Sequence, residues 1–305
     1  MSTLTLRRVE GTEDVDVFLA LRRAIDPDHM PSPAQYREHV KAPGRVDLIA
    51  ELDGEPVAAA FVERHGENVD GPVAWISVRV LAEHRRRGVG TALFRELSAI
   101  ARNDGKSELV FSARHDDPDS LDYLGKRAFV EALRLRESIL ELAHAQTTFA
   151  PPPEVTLVPF AVELDEAVYD VALDVARDVP TAQESFEIGT FGRWREDQLP
   201  SITMRDCSFV AQAKGEPVGY AILVQGEEGE GLHCMTGVRR AWRRRGIALA
   251  LKQAQIDAAK AAGLRRLRTA NAVQNPMLLV NERLGYRRDV EWIHLRGPLL
   301  DGDES

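Results

Sequence analysis

The stretch Arg85-Arg86-Arg87-Gly88-Val89-Gly90 returns further along the chain as Arg243-Arg244-Arg245-Gly246-Ile247-Ala248. Each copy lies between a strand-like run, near Val80 or Val238, and a run with helical spacing. Leu93, Phe94, Leu97 and Ile100 follow the first copy; Leu251, Ala254, Ala258 and Ala261 follow the second. Steps of three and four residues place one apolar stripe on a helix. A glycine-rich turn that opens a helix leaves backbone N–H groups unpaired at the positive end of the helix dipole. Such a turn is an anion site. Three arginines add charge beside it, and the chain builds the arrangement twice.

The flanks repeat as well. Residues 48–62 and 209–223 both read as strand, turn with Gly-Glu-Pro (at Gly54 and Gly215), strand, which is a hairpin with period-two alternation. Gly105 and Gly263 stand where the two helices should end. Short strands follow at 108–113 and 265–270. A second helix then closes at Ala128-Phe129 and at Gly285-Tyr286, and alternating strands follow at 133–142 and 289–295. A length of 305 residues fits two domains. The expected division is 1–147, a linker at 148–154 stiffened by three prolines, and 155–305.

A net charge of −9 argues against nucleic-acid binding, so the arginine clusters are local features of an acidic protein. The absence of a long apolar run and of a signal-peptide pattern predicts a cytoplasmic protein with no membrane partner. Cys207 and Cys234 are too few for a disulfide framework and have no metal spacing, so no metal is expected. No Gly-x4-Gly-Lys-Ser/Thr run supports a nucleotide P-loop.

A strand carrying Val-x4-Arg-x2-Gly-x-Gly/Ala into a helix resembles the acyl-CoA-binding motif of the GNAT N-acetyltransferase superfamily, and the resemblance covers both halves. It implies an α/β (α+β) fold of two tandem domains, each a mixed, mostly antiparallel sheet flanked by helices. The arrangement is similar to that of mycothiol-synthase-type tandem proteins. It further implies that the turn's N–H groups hold the pyrophosphate of acetyl-CoA, the co-substrate, while the preceding strand splays to pair with the pantetheine arm. The residues so assigned are Val80, Arg85, Arg86, Arg87, Gly88, Val89, Gly90 and Thr91, and in the second half Val238, Arg243, Arg244, Arg245, Gly246, Ile247, Ala248 and Leu249. A side chain at either glycine would keep the backbone from phosphate.

The second half carries a further resemblance, from Asn271 through Asn275 and Asn281 to Gly285-Tyr286. It assigns Asn271 and Asn275 to the coenzyme segment, with Asn275 capping the helix it opens. The family often places a tyrosine four residues before that glycine, as acid to the leaving thiolate. Here Asn281 stands there, and the first half has Leu124 with Tyr123 beside it and Asp117 for the opening asparagine. The catalytic candidates are therefore Asn281 as donor to the thiolate, His233 as base, and Tyr286 as displaced acid. Plainer readings exist for some of these residues: turn and cap chemistry for Asn271 and Asn275, a structural strand histidine for His233. Glu227, Glu228 and Glu230 read as solvent-facing or as attracting a cationic amine. Phe186, Phe191 and Trp194 read as core or as acceptor pocket, 26–33 as the matching irregular segment of the first half, and Cys234 as packing.

The implied function is acetyl-CoA-dependent N-acetylation of a primary amine on a small molecule by direct transfer. The second half is expected to be catalytic and the first degenerate or structural, in a monomer or homodimer. The competing reading is a non-catalytic acyl-CoA-binding sensor or scaffold.

Overall fold

The computed structural model describes residues 2–27, 33–65, 68–145, 149–182 and 186–300. The irregular segment expected at 26–33 therefore lies mostly outside the described residues, as does the start of the expected linker. Packing divides the chain into two compact units, Met1–Ala132 with Ile293–Ser305, and Leu133–Trp292.

The first unit runs β1 (Leu4–Arg8), α1 (Gly11–Ile25), α2 (Pro33–His39), β2 (Val46–Leu52), β3 (Glu55–Arg64), β4 (Val73–Val80), α3 (Val89–Asn103), β5 (Glu108–Arg114) and α4 (Pro118–Gly125). Strands β1 to β4 pair antiparallel in order, and β4 pairs parallel with β5. The second unit takes most of β6 (Val130–Glu141), then β7 (Thr156–Pro159), α5 (Asp165–Ala176), α6 (Phe191–Gln198), β8 (Phe209–Ala213), β9 (Glu216–Gln225), β10 (Glu230–Val238), α7 (Ile247–Ala261), β11 (Arg266–Ala272), α8 (Met277–Arg283) and the start of β12 (Arg287–Pro298). Strands β7 to β10 are antiparallel neighbours, β10 pairs parallel with β11, and β11 pairs antiparallel with β6. The fold class is thus α/β, a repeated and mostly antiparallel sheet with helices.

The repeats exchange their last strands. Residues 135–141 of β6 pair with β11 inside the second unit. The end of β12 belongs to the first, where Arg296 pairs with Glu108 and His294 meets the Trp75 ring edge-on at 4.7 Å. The compact units therefore divide at 132/133 and again at 292/293, while residues 148–154 lie within the second.

Local chemistry explains the shared elements. Asp53-Gly54 and Lys214-Gly215 all have positive φ, the pair of left-handed residues that a two-residue hairpin requires. Pro56 and Pro217 have no N–H for the ladder, and each hairpin's register shifts beside them, at Ala50/Glu51 and Ala211/Gln212. Gly105 and Gly263, at φ 76° and 78°, end α3 and α7. On α3 the expected stripe is buried at Leu93, Phe94 and Leu97. On α7 the stripe differs: Ala261 is exposed, and the buried arc includes Ile247, Leu251, Ile256 and also Lys252 and Gln255. Alanine is small enough for either face, so it did not mark the true one. Among the described residues no helix is long and apolar enough to cross a membrane.

Candidate active site

The turn before the central helix has one backbone shape in both units. Arg86 and Arg244 sit at φ 61°, Gly88 and Gly246 at φ 84°. Left-handed residues interleaved in this way aim successive N–H groups into one concavity. The two glycines are the N-caps of α3 and α7, and neither helix start has a side-chain cap. The first-turn N–H groups remain for a ligand. A Cβ on either glycine meets no atom of the described residues within 4 Å. Positive φ, and not crowding, therefore favours glycine here, and the open space before the turn fits phosphate oxygens. The buried Val89 and Ile247 fix each helix start.

The arginines of the triplets serve different ends. Arg85 Nε donates to the Val80 carbonyl at 3.1 Å and Arg243 Nε to that of Val238 at 2.9 Å, tying turn to strand. Arg243 also pairs with Asp178 at 2.7 Å, and Arg245 lies 4.7 Å over the Trp242 ring. Arg86 and Arg244 are exposed at the turn.

Next to the turn the parallel strands part. β10 and β11 pair only from Glu230–Arg266 to Leu232–Arg268, and β4 and β5 only as far as Ile76–Phe111. Here the units differ. β10 shifts register against β9 between His233 and Met235, so Cys234 is an extra, exposed residue; β4 keeps regular register against β3. A bulge takes the extra residue out of the ladder. In the first unit Arg79 spans the splay, donating to the carbonyls of Val78 (3.2 Å) and Ser112 (3.4 Å). The matching residue of the second unit is Gly237, where a Cβ would meet Val175 at 2.9 Å. Arg22 lies on the same side of the first unit, 3.3 Å from Ser77 Oγ, its pKa lowered to about 10 by burial and then by Arg79 and Arg45. The corresponding side of the second unit is a narrow apolar cleft lined, among the described residues, by Val175, Phe186, Trp194, Gln198, Tyr220 and Met235.

Beneath the second splay lies a polar network. Lys252, 1 % exposed, donates to Asn281 Oδ1 at 2.7 Å, and Asn281 Nδ2 donates to Asn271 Oδ1 at 2.8 Å. Among the described residues no carboxylate pairs with Lys252, and burial pushes its pKa down to about 7. It sits 5.1 Å from the centre of the Tyr286 ring. The Tyr286 hydroxyl meets His233 Nε2 at 2.5 Å, and His233 Nδ1 meets Gln255 Oε1 at 3.0 Å. An amide oxygen only accepts, so Nδ1 carries the proton and Nε2 accepts from Tyr286. Burial, then the nearby Lys252, holds His233 well below its ordinary pKa; burial raises that of Tyr286.

The three catalytic candidates thus fall in one cluster, joined by Lys252 and Gln255, which sequence reading passed over. Both ends of the Asn281 amide and both nitrogens of His233 are engaged within the protein. Asn275 Oδ1 accepts from the Met277 N–H at 2.9 Å and Asp117 from Ser120 at 3.1 Å, so both open their helices. Glu230 pairs with Arg266 at 2.9 Å. Trp194 is 1 % exposed, belongs to the core and also lines the cleft; Phe191 packs against it.

Comparisons with known proteins agree with this fold. The chain aligns over 99 % of its length, at 18 % identity and TM-score 0.80, with 98 % of a GCN5-related N-acetyltransferase from Sphaerobacter thermophilus. A tandem GNAT protein from the clavulanic acid biosynthesis pathway aligns at 20 % identity and TM-score 0.77, covering 99 % of this chain and 100 % of that one. Saccharomyces cerevisiae N-myristoyltransferase aligns at 12 % identity and TM-score 0.69, over 100 % of this chain and 82 % of that one. No curated protein matches by sequence. The family profile described as Acetyltransferase (GNAT) family matches residues 16–129 and again 173–286, one match to each cradle and its sheet, and the chain belongs to that family.

Proposed function

We propose that the second half catalyses transfer of the acetyl group of acetyl-CoA to a primary amine of a small molecule, and that the first half is structural or binds coenzyme without turnover. The observation that carries this reading is the difference between two otherwise matching splays. The second has a bulge at Cys234 and glycine at 237; the first has no bulge and a guanidinium across the gap.

In this reading the N–H groups of the Gly246 turn hold the coenzyme's phosphates, with Arg244 at their side. Acetyl-CoA supplies an activated acyl group on a thiolate leaving group. The N–H released from the ladder at the bulge polarises the thioester carbonyl, and the cleft beside Met235 and Trp194 orients the amine, so proximity and a fixed dipole supply the rate. His233 and Asn281 act from within the network, and the ammonium proton leaves through water or a group of the cleft. The cytoplasm is the expected compartment.

The test is release of free coenzyme A thiol from acetyl-CoA across a panel of primary amines. Saturable coenzyme binding with no release for any amine would instead favour the sensor or scaffold reading.

A further inference from the structure

Six polar side chains of the second unit stand where the first is apolar. His233 replaces Ile76, Lys252 replaces Phe94, Gln255 replaces Leu97, Asn271 replaces Ala113, Asn281 replaces Leu124 and Tyr286 replaces Phe129. The six apolar residues belong to one core cluster, none more than 4 % exposed. This fold therefore closes at that place without any polar group. A buried cation and two buried amides oppose folding, so a fold that can omit them keeps them for another reason.

We propose that Lys252 is a positioning residue for acyl transfer, acting through Asn281 to hold Asn271 as an N–H donor in the splay between β10 and β11. The proposal rests on the acyltransferase reading. An ammonium or amine nitrogen here serves as donor, so Asn281 must turn its Oδ1 toward Lys252 and its Nδ2 toward Asn271. Asn271 must then accept through Oδ1, which leaves its NH2 as the group still able to serve a ligand. The lysine thus fixes the orientation of two amides in series. Asn271 lies beyond Arg268, the last residue of β11 paired with β10, where the acyl end of the coenzyme would lie. An N–H there favours the carbonyl oxygen and the departing sulfur; an amide oxygen would oppose both. The first repeat, with Phe94, Leu124 and Ala113, has no such relay, and it is also the repeat in which Arg79 spans the splay.

Lys252→Met tests this, and Phe94 in the first repeat shows that the fold accepts an apolar side chain at that place. The variant should lose ~10-fold or more in kcat while its affinity for coenzyme A, by calorimetry, changes less than ~3-fold. In an Asn271→Ala background the same substitution should cost no more than ~2-fold, because Lys252 works only through Asn271. Equal losses in the two backgrounds, or unchanged kcat in Lys252→Met, would overturn the relay. A readout without coenzyme separates the two ideas: the side-chain amide resonances of Asn271 and Asn281 in asparagine-labelled protein should shift in Lys252→Met. Amides that ignore the substitution overturn the relay whatever the chemistry. A relay that responds in a wild-type protein releasing no thiol with any amine overturns the acyltransferase reading, and the role of Lys252 with it.

Discussion

Lys252 makes a prediction whose sign depends on pH. Folding takes the ammonium from water, and its pKa falls from 10.5 to about 7. As pH rises the folded chain releases this proton first, so between those values it binds fewer protons than the unfolded chain. Stability from this group therefore rises with pH across the window, and the full destabilisation is present below it. At 1.36 kcal/mol per pKa unit the cost is about 4 kcal/mol at pH 7 and about 2 kcal/mol at pH 9. Lys252→Met removes that cost but leaves Asn281 Oδ1 without its buried donor, a loss of ~1–3 kcal/mol that does not titrate. The variant should thus be more stable than wild type at pH 7, and its advantage should shrink by about 2 kcal/mol at pH 9. Urea unfolding of both proteins at the two pH values measures this double difference, in which the hydrogen-bond loss and all other titrating groups cancel. The same stability difference at both pH values would refute the placement of a desolvated lysine in the interior.

Gly246→Asp should weaken acetyl-CoA binding more than ~10-fold and abolish transfer, while Gly88→Asp keeps most activity; the opposite pattern in thiol-release assays would move the chemistry to the first half. The rate should show no falling limb near pH 10, because burial raises the Tyr286 pKa well above its usual value. A limb that vanishes in Tyr286→Phe would restore tyrosine as the acid. Acidification should not reveal a histidine limb either, since His233 is held neutral below its ordinary range, and a low-pH limb lost in His233→Ala would contradict that. Primary amines on apolar or aromatic bodies should have higher kcat/KM than polycationic amines of equal basicity, and the reverse ranking would rule out the apolar cleft as the acceptor site.

Sequence reading succeeded where backbone chemistry forces a residue type. The two cradles, the Asp53-Gly54 and Lys214-Gly215 hairpins and the helix ends at Gly105 and Gly263 all need positive φ, and glycine or its neighbours announce it. It gathered Asn281, His233 and Tyr286 without revealing that they share one network, because their contacts join β10, α7 and α8 across long sequence separations. Lys252 and Gln255 carry a legible signal of another kind. They are polar where the first copy of the same helix has Phe94 and Leu97, and only a residue-by-residue comparison of the repeats exposes them. The strand exchange had no local signal, since β6 and β12 alternate alike and nothing in either states which sheet it completes.

The two units distribute polarity in opposite ways. In the first, the side bearing α3 is mostly apolar, and the side bearing α1 carries Arg22, Arg79 and the Arg45 guanidinium, which pairs with Asp47 and Glu63 at 2.7 Å each. In the second, the polar groups lie beneath α7, and the side bearing α5 offers Val175, Trp194, Tyr220 and Met235. In the proposed reaction an amine entering such a cleft would meet no carboxylate among its described lining residues, so desolvation would act on it as on Lys252 and disfavour the ammonium. A neutral amine is what attack on a thioester requires. An apolar cleft would thus do part of the work of a general base in the proposed reaction, the proton being lost to water as the amine enters. On this proposal a site with both nitrogens of its histidine committed elsewhere can still work, and specificity would lie in the shape of the cleft more than in any charged pair.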